Sequence, residues 1–179
     1  MSHRCCATRA AALLTHAGLP VHRLDQDTSG CLLFARNPKA LKRFSAAFEA
    51  RQVEKVYLGI VAGRIEAEEG TIELALAKIS SAEKGWRMIP AKKGKPAVTH
   101  WRKLAEAGGL SLIEFRPETG RTHQIRVHAL AGLGMPLLGD PIYGDGIGAG
   151  RTMLHAAGLT VTREGKPPLA ARAPIPADF

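Results

Sequence analysis

The sequence predicts an α+β fold: a mostly antiparallel mixed sheet with flanking helices. Three observations lead there. Segments with strand character outnumber those with helical spacing. Several are joined by turns of a few residues, as at Asp27-Thr28-Ser29-Gly30 and Ala107-Gly108-Gly109, too short for parallel crossovers. And 45% of the 179 residues are hydrophobic, enough to build a core rather than leave the chain disordered.

The elements follow in order. Residues 7–16 read as an alanine-rich helix ended by Gly18 and Pro20. Residues 21–35 read as strand, turn, strand. Asn37-Pro38 opens a helix, because Asn37 can cap it and Pro38 suits its first turn. Leu41, Phe44, Ala47 and Phe48 recur at helical spacing and form its buried face. Residues 53–61 and 71–76 read as strands, and 97–104 with 110–116 as a strand pair. Residues 122–133 read as a helix with Ile125 and Ala129 on one face and glycines near its end. Residues 139–150 are a glycine-rich loop, 153–161 a short strand, and the proline-rich tail at 167–176 is extended.

The charge balance bears on partners. Lys and Arg number 25 against 16 Asp and Glu, a formal net charge of +9. Such an excess suits a phosphate-bearing partner, because each neutralised phosphate releases counterions. The plainer alternative is a basic protein without a nucleic-acid partner. Residues 78–97 concentrate the effect: Lys78, Lys84, Arg87, Lys92, Lys93 and Lys95 surround Trp86. Basic residues around an aromatic can grip RNA by phosphate contact and stacking, and a solvated hairpin is the competing reading. No apolar run is long enough to span a bilayer, and residues 1–15 lack the apolar stretch of a signal peptide. Cys5, Cys6 and Cys31 form no CxxC pair, which fits a reducing cytoplasm and no zinc site. Nothing marks an oligomer, so a monomer is the default.

One stretch carries chemistry: His22-Arg23-Leu24-Asp25-Gln26-Asp27-Thr28-Ser29-Gly30. Alternation lets Leu24 point inward while Asp25 points out, so the turn that follows positions a carboxylate. An ordinary Asx turn is the competing reading of the turn alone. The whole string, however, resembles the central motif of the RluA-type pseudouridine synthases. About a hundred residues downstream, Gly120-Arg121-Thr122-His123-Gln124-Ile125-Arg126-Val127-His128 looks like a second motif of that family. It runs on into Leu137-Leu138-Gly139-Asp140-Pro141-Ile142-Tyr143-Gly144, which also matches.

The resemblance implies a pseudouridine synthase catalytic fold occupying the chain as a single domain. It implies an isomerase that breaks the glycosidic C–N bond of a uridine in ribosomal or transfer RNA and rejoins the base through carbon. The change is redox-neutral, so no cofactor is expected, and neither a GxxxxGK[ST] nor a GxGxxG motif is present. By resemblance Asp25 is the catalytic carboxylate and Arg126 its charge partner, Arg121 being the alternative partner or a phosphate contact. Tyr57, in Lys55-Val56-Tyr57-Leu58-Gly59-Ile60-Val61-Ala62-Gly63, is expected to stack on the uracil and move the C5 proton. Arg23 is expected to hold the RNA once the nucleotide has flipped out, and Leu154 to wall the pocket. His123 and His128 lie at i, i+5, on different helix faces, so structural or RNA-contacting roles are expected rather than metal ligation. Asp140 before Pro141 reads as loop chemistry.

The family also has strands, with an Asn-Lys-Pro-like segment, ahead of its central motif. Residues 1–16 show none, so the chain reads as N-terminally shortened. A truncated, non-catalytic RNA-binding remnant is therefore the alternative expectation. A hydrolase pairing Asp25 with Asp27 is a third and weaker one.

Overall fold

A computed structural model describes residues 18–179 apart from Lys84; the helix expected over residues 7–16 lies outside the described residues. In chain order the elements are β1 (Leu19–Pro20), β2 (Ser29–Gly30), β3 (Phe34–Ala35), α1 (Pro38–Glu49), β4 (Val53–Val61), β5 (Glu69–Ser81), β6 (Gly85–Pro90), β7 (Lys95–Ala107), β8 (Leu110–Pro117), α2 (Gln124–Leu133), β9 (Leu154–Arg163) and β10 (Lys166–Arg172). They fall into two compact units. One joins the residues up to Lys55 with Ala156–Phe179, and the other is the continuous stretch Val56–His155. The chain passes between units inside β4 and again inside β9.

The discontinuous unit is built on α1. Asn37 caps this helix as expected, its Oδ1 accepting from the Ala40 N–H at 2.9 Å, with Pro38 in the first turn. Phe44 and Ala47 are buried and pack with Val53, Leu159 and Val161, and Phe48 joins them at the margin. The strand-turn-strand expected over residues 21–35 is mostly irregular. Its strands are the two-residue pieces β2 and β3: β3 pairs with β1, just ahead of the stretch, and β2 pairs with β9, far along the chain. The tail does extend, and as far as Arg172 it is a strand, β10, antiparallel to β9.

The continuous unit is an antiparallel sheet with non-consecutive neighbours. Here β4 pairs with β8, β8 with β7, β7 with β5 and β5 with β6. In β8, Ser111, Ile113, Phe115 and Pro117 are buried while the residues between them are not, the two-residue period of a sheet with one covered face. The β7–β8 turn uses Gly108 and Gly109 at φ 58 and 78, left-handed at both central positions as a tight hairpin requires. The β5 strand is much longer than the expected 71–76, because it finds partners on both sides, β7 and β6.

Helix α2 begins two residues later than its periodicity suggests. His123 sits in the left-handed region (φ 53) and the Gln124 N–H closes a turn on the Arg121 carbonyl, so the helical run starts at Gln124. Gly134, also left-handed, ends it. Ile125 and Ala129 enter a core with Val61, Ile72, Trp101, Ile113, Phe115, Leu137 and Leu154. The helix lies close to β5: a Cβ on Gly132 would fall 2.6 Å from the Ile72 side chain.

Candidate active site

The chemistry-bearing residues of the discontinuous unit surround one turn. Leu24 is 4% exposed and Thr28 3% exposed, and Asp25 between them is half-buried. The Asp25 carbonyl accepts from the Thr28 N–H at 3.1 Å, closing a four-residue turn with Asp27 left-handed at φ 67. After the turn, the Cys31 N–H donates to the Ala156 carbonyl at 2.8 Å. Gly30, at φ 111, comes so close to that strand that a Cβ would lie 2.2 Å from the Ala156 oxygen. A glycine is required there for space and for backbone conformation alike. The turn that presents Asp25 is thus buried on both flanks and fastened to β9.

Before the turn, Arg23 is exposed and His22 is not. The His22 ring stacks on Phe48 at 4.8 Å, and its Nε2 accepts from the Leu33 N–H at 3.1 Å. Burial lowers the His22 pKa, the Lys55 charge adds to this, and a backbone hydrogen bond at Arg23 opposes it. A neutral ring is the form that can accept from Leu33. Burial, helped by the neighbouring charge of Arg51, also brings the Lys55 ammonium down to about 8.

In the continuous unit the centre is Arg126, in the first turn of α2 and 3% exposed. Its Nε and Nη2 donate to the two carboxylate oxygens of Asp140, both at 2.6 Å. Asp140 is fully buried and also accepts from the Ile142 and Tyr143 N–H groups at 2.9 and 3.0 Å. Burial pushes the Asp140 pKa up, but the Arg126 hydrogen bonds and charge, with the two backbone donors, outweigh it. The carboxyl is held below the usual carboxylate range. Loop chemistry was the expectation for Asp140, and its bonds to Ile142 and Tyr143 are of that kind. The fork with Arg126 is the larger part, and no sequence signal beyond the matching Leu137–Gly144 block pointed to it.

Rings extend the network. The Arg126 guanidinium lies 5.0 Å from the Tyr143 ring centroid. The Tyr143 hydroxyl accepts from the Met88 N–H at 3.0 Å and shares a 2.9 Å hydrogen bond with His123 Nδ1. His123, 6% exposed, stacks on Trp86 at 4.9 Å. Beside it, buried Gln124 accepts from the Thr119 hydroxyl and the Arg121 N–H, and donates to Val98 and Thr99 of β7. Arg121 Nε donates to the Pro96 carbonyl at 3.1 Å. Tyr57 is half-buried on β4, opposite Phe115, and packs on the core that contains Leu154 and Ile125. Leu154 is 3% exposed.

The structure therefore brings Tyr57, Arg126, His123, Arg121 and Leu154 into one unit, around α2 and the strands it covers. Asp25 and Arg23 belong to the other unit. Among the described residues no group of His, Cys, Asp and Glu is placed to hold a metal ion. No described helix is long and apolar enough to cross a membrane.

One unit thus carries a buried Arg at a helix start and a strand tyrosine, and the other a carboxylate on a glycine-anchored turn. Comparison with known proteins gives the chain its family. Residues 4–131 match the family model described as RNA pseudouridylate synthase. A Zymomonas mobilis protein described as an uncharacterized RNA pseudouridine synthase is 56% identical over 161 residues, 89% of this chain and 74% of that protein. The ribosomal large subunit pseudouridine synthase D of Borreliella burgdorferi is 38% identical over 144 residues, 79% of this chain and 44% of that protein. The solved structure of human RNA pseudouridylate synthase domain containing 1 superposes with a TM-score of 0.75 at 32% identity, over 89% of this chain and 69% of that one. This chain belongs to the RNA pseudouridine synthase family, whose members are isomerases, and has its α+β fold. It spans about half the length of other curated relatives it matches.

Proposed function

We propose that this protein isomerises particular uridines in structured RNA to pseudouridine, with Asp25 as the catalytic carboxylate. The observation that carries the reading is the Asp25 turn, set between buried Leu24 and Thr28 and fastened at Ala156, in a member of this family. In the reaction the N1–C1′ bond breaks and a C5–C1′ bond forms. The C5 proton leaves and N1 gains one, so no oxidant, reductant or cofactor is required.

Each residue has a part in this reading. Arg126 holds the site's negative charge in place through charge-assisted hydrogen bonds. Tyr57 stacks on the uracil and serves the C5 proton; a phenol with an ordinary pKa of about 10 needs a nearby cation for that. Leu154 walls the base. Arg23, exposed and planar, takes the space the flipped nucleotide leaves. Arg121 and His123 meet the RNA around the target. Ribosomal RNA is the first substrate to try, since a relative is named for the large ribosomal subunit, and transfer RNA the second. A monomer acting in the cytoplasm completes the proposal.

The experiment is tritium release from ribosomal and transfer RNA transcribed with 5-tritiated uridine. Wild type is expected to release label, Asp25→Ala none, and Tyr57→Phe far less than wild type. Salt-sensitive RNA binding without release by folded wild type would replace the enzyme with a binding protein.

A further inference from the structure

Trp86, which the sequence offers as either an RNA-stacking residue or part of a solvated hairpin, has no part in the reaction described so far. It lies on β6 opposite Ser80 of β5, is 42% exposed, and belongs to none of the three apolar clusters. Leaving an indole in water forgoes burial energy that a core position would supply. Yet the ring has partners. It stacks on His123 at 4.9 Å with the planes 29° apart, and the Lys78 ammonium lies 5.0 Å from its centroid. His123 in turn is held by the Tyr143 hydroxyl, and Tyr143 by the Met88 N–H and by its own backbone bond to Asp140. Lys92, Lys93 and Lys95, close in sequence, are all exposed.

An exposed aromatic, backed by a second ring and accompanied by exposed cations, is the arrangement that unpaired nucleic acid recognises. Any base has a π-face to stack, and its phosphate finds a lysine. A duplex keeps its base faces covered and offers only phosphates and grooves. We propose that Trp86 and Lys78 form a stacking platform for an unpaired nucleotide of the substrate RNA, beside the nucleotide that is modified. Trp86 takes the base, and Lys78 swings from the indole to the phosphate. The contacts from Trp86 through His123 and Tyr143 to Arg126 place this platform in the same side-chain network as the arginine. The proposal rests on the RNA reading above and names a specificity contact for it.

The test compares wild type, Trp86→Ala, Trp86→Phe and Lys78→Ala in tritium release from a large-subunit ribosomal RNA transcript. Trp86→Ala is expected to raise the half-saturating RNA concentration about 10-fold, as loss of one base stack does, with Trp86→Phe restoring most of it. Lys78→Ala is expected to lower the salt slope by about one. Release by Trp86→Ala indistinguishable from wild type at every RNA concentration overturns the platform and leaves the enzyme intact. So does equal damage from Ala and Phe accompanied by a lower melting temperature. Should wild type release no label, the activity fails and emission decides the platform separately. The difference spectrum between wild type and Trp86→Phe isolates Trp86 from the buried Trp101. Quenching by a short uridine-rich single strand but not by its duplex upholds the platform, and no quenching removes it.

Discussion

Arg126 and Asp140 face each other as a fork on a fork, with two hydrogen bonds of 2.6 Å between groups that are almost completely buried. Each ion is tolerable in the interior only because the other is present. Asp140→Ala strands a buried guanidinium and is expected to cost about 3–5 kcal/mol in urea unfolding. Arg126→Lys keeps the charge but loses the fork, so tritium release should fall well before the fold does. Replacing both together, as Arg126→Met with Asp140→Leu, should recover much of the stability and none of the activity.

Buried groups shape the acid limb of stability, His128 and Asp140 most directly. His128 is fully buried with neither ring nitrogen hydrogen-bonded among the described residues, and burial brings its pKa down to about 4. The unfolded chain takes a proton there near pH 6.5 and the folded chain does not until about 4. Unfolding therefore takes up a proton in that window, and stability falls as pH drops from about 6.5 to 4. Below that both forms are protonated and the loss stops growing. His128→Leu is expected to flatten this limb in urea titrations run across the same pH range.

Asp140 acts lower. Its folded pKa is depressed, so its contribution is complete above the ordinary carboxylate pKa and is lost as pH falls through the folded value. Asp140→Asn should remove the steepening of acid unfolding below about pH 4 while leaving the His128 window in place.

Gly30→Ala should act on the Asp25 turn without touching Asp25. The φ of 111 alone costs a side chain about 1–3 kcal/mol. The clash with the Ala156 carbonyl is with backbone, which cannot swing aside. Release of label is expected to fall by a larger factor than the stability loss explains, measured at a temperature where the variant is fully folded.

Asn37→Ala provides the contrast. It removes the hydrogen bond to the Ala40 N–H at an exposed helix start and should cost about 1 kcal/mol. The melting temperature should drop while activity at low temperature is unchanged.

What was legible in the sequence was what local physics decides. The Asn37-Pro38 start of α1, the bounds of β4 and the Gly108-Gly109 turn depend on neighbours in the chain, and each is found where expected. Residues 21–35 read as two strands because their apolar residues suit a sheet. Only short pieces pair, since β2 takes its partner from β9 rather than from across the turn. The start of α2 was displaced by the left-handed His123, a conformation its sequence does not announce. At Asp140 the sequence displayed the turn but not the partner, because a salt bridge between Asp140 and Arg126 is set by how a loop folds back on a helix. Asp25 itself is assigned only through its motif, and the closeness of Gly30 to Ala156 that anchors its turn was beyond any local signal.

That anchoring has a consequence on the ribosome. Ala156 is synthesised about 130 residues after Asp25, which at ~5–20 residues per second is a delay on the order of ten seconds. Throughout that time the continuous stretch Val56–His155 is being completed while the Asp25 turn has no strand to fasten to. A nascent chain halted anywhere before Ala156 carries the whole motif without the strand that fastens it. Translation thus keeps the carboxylate unfastened until the stretch Val56–His155 has been made.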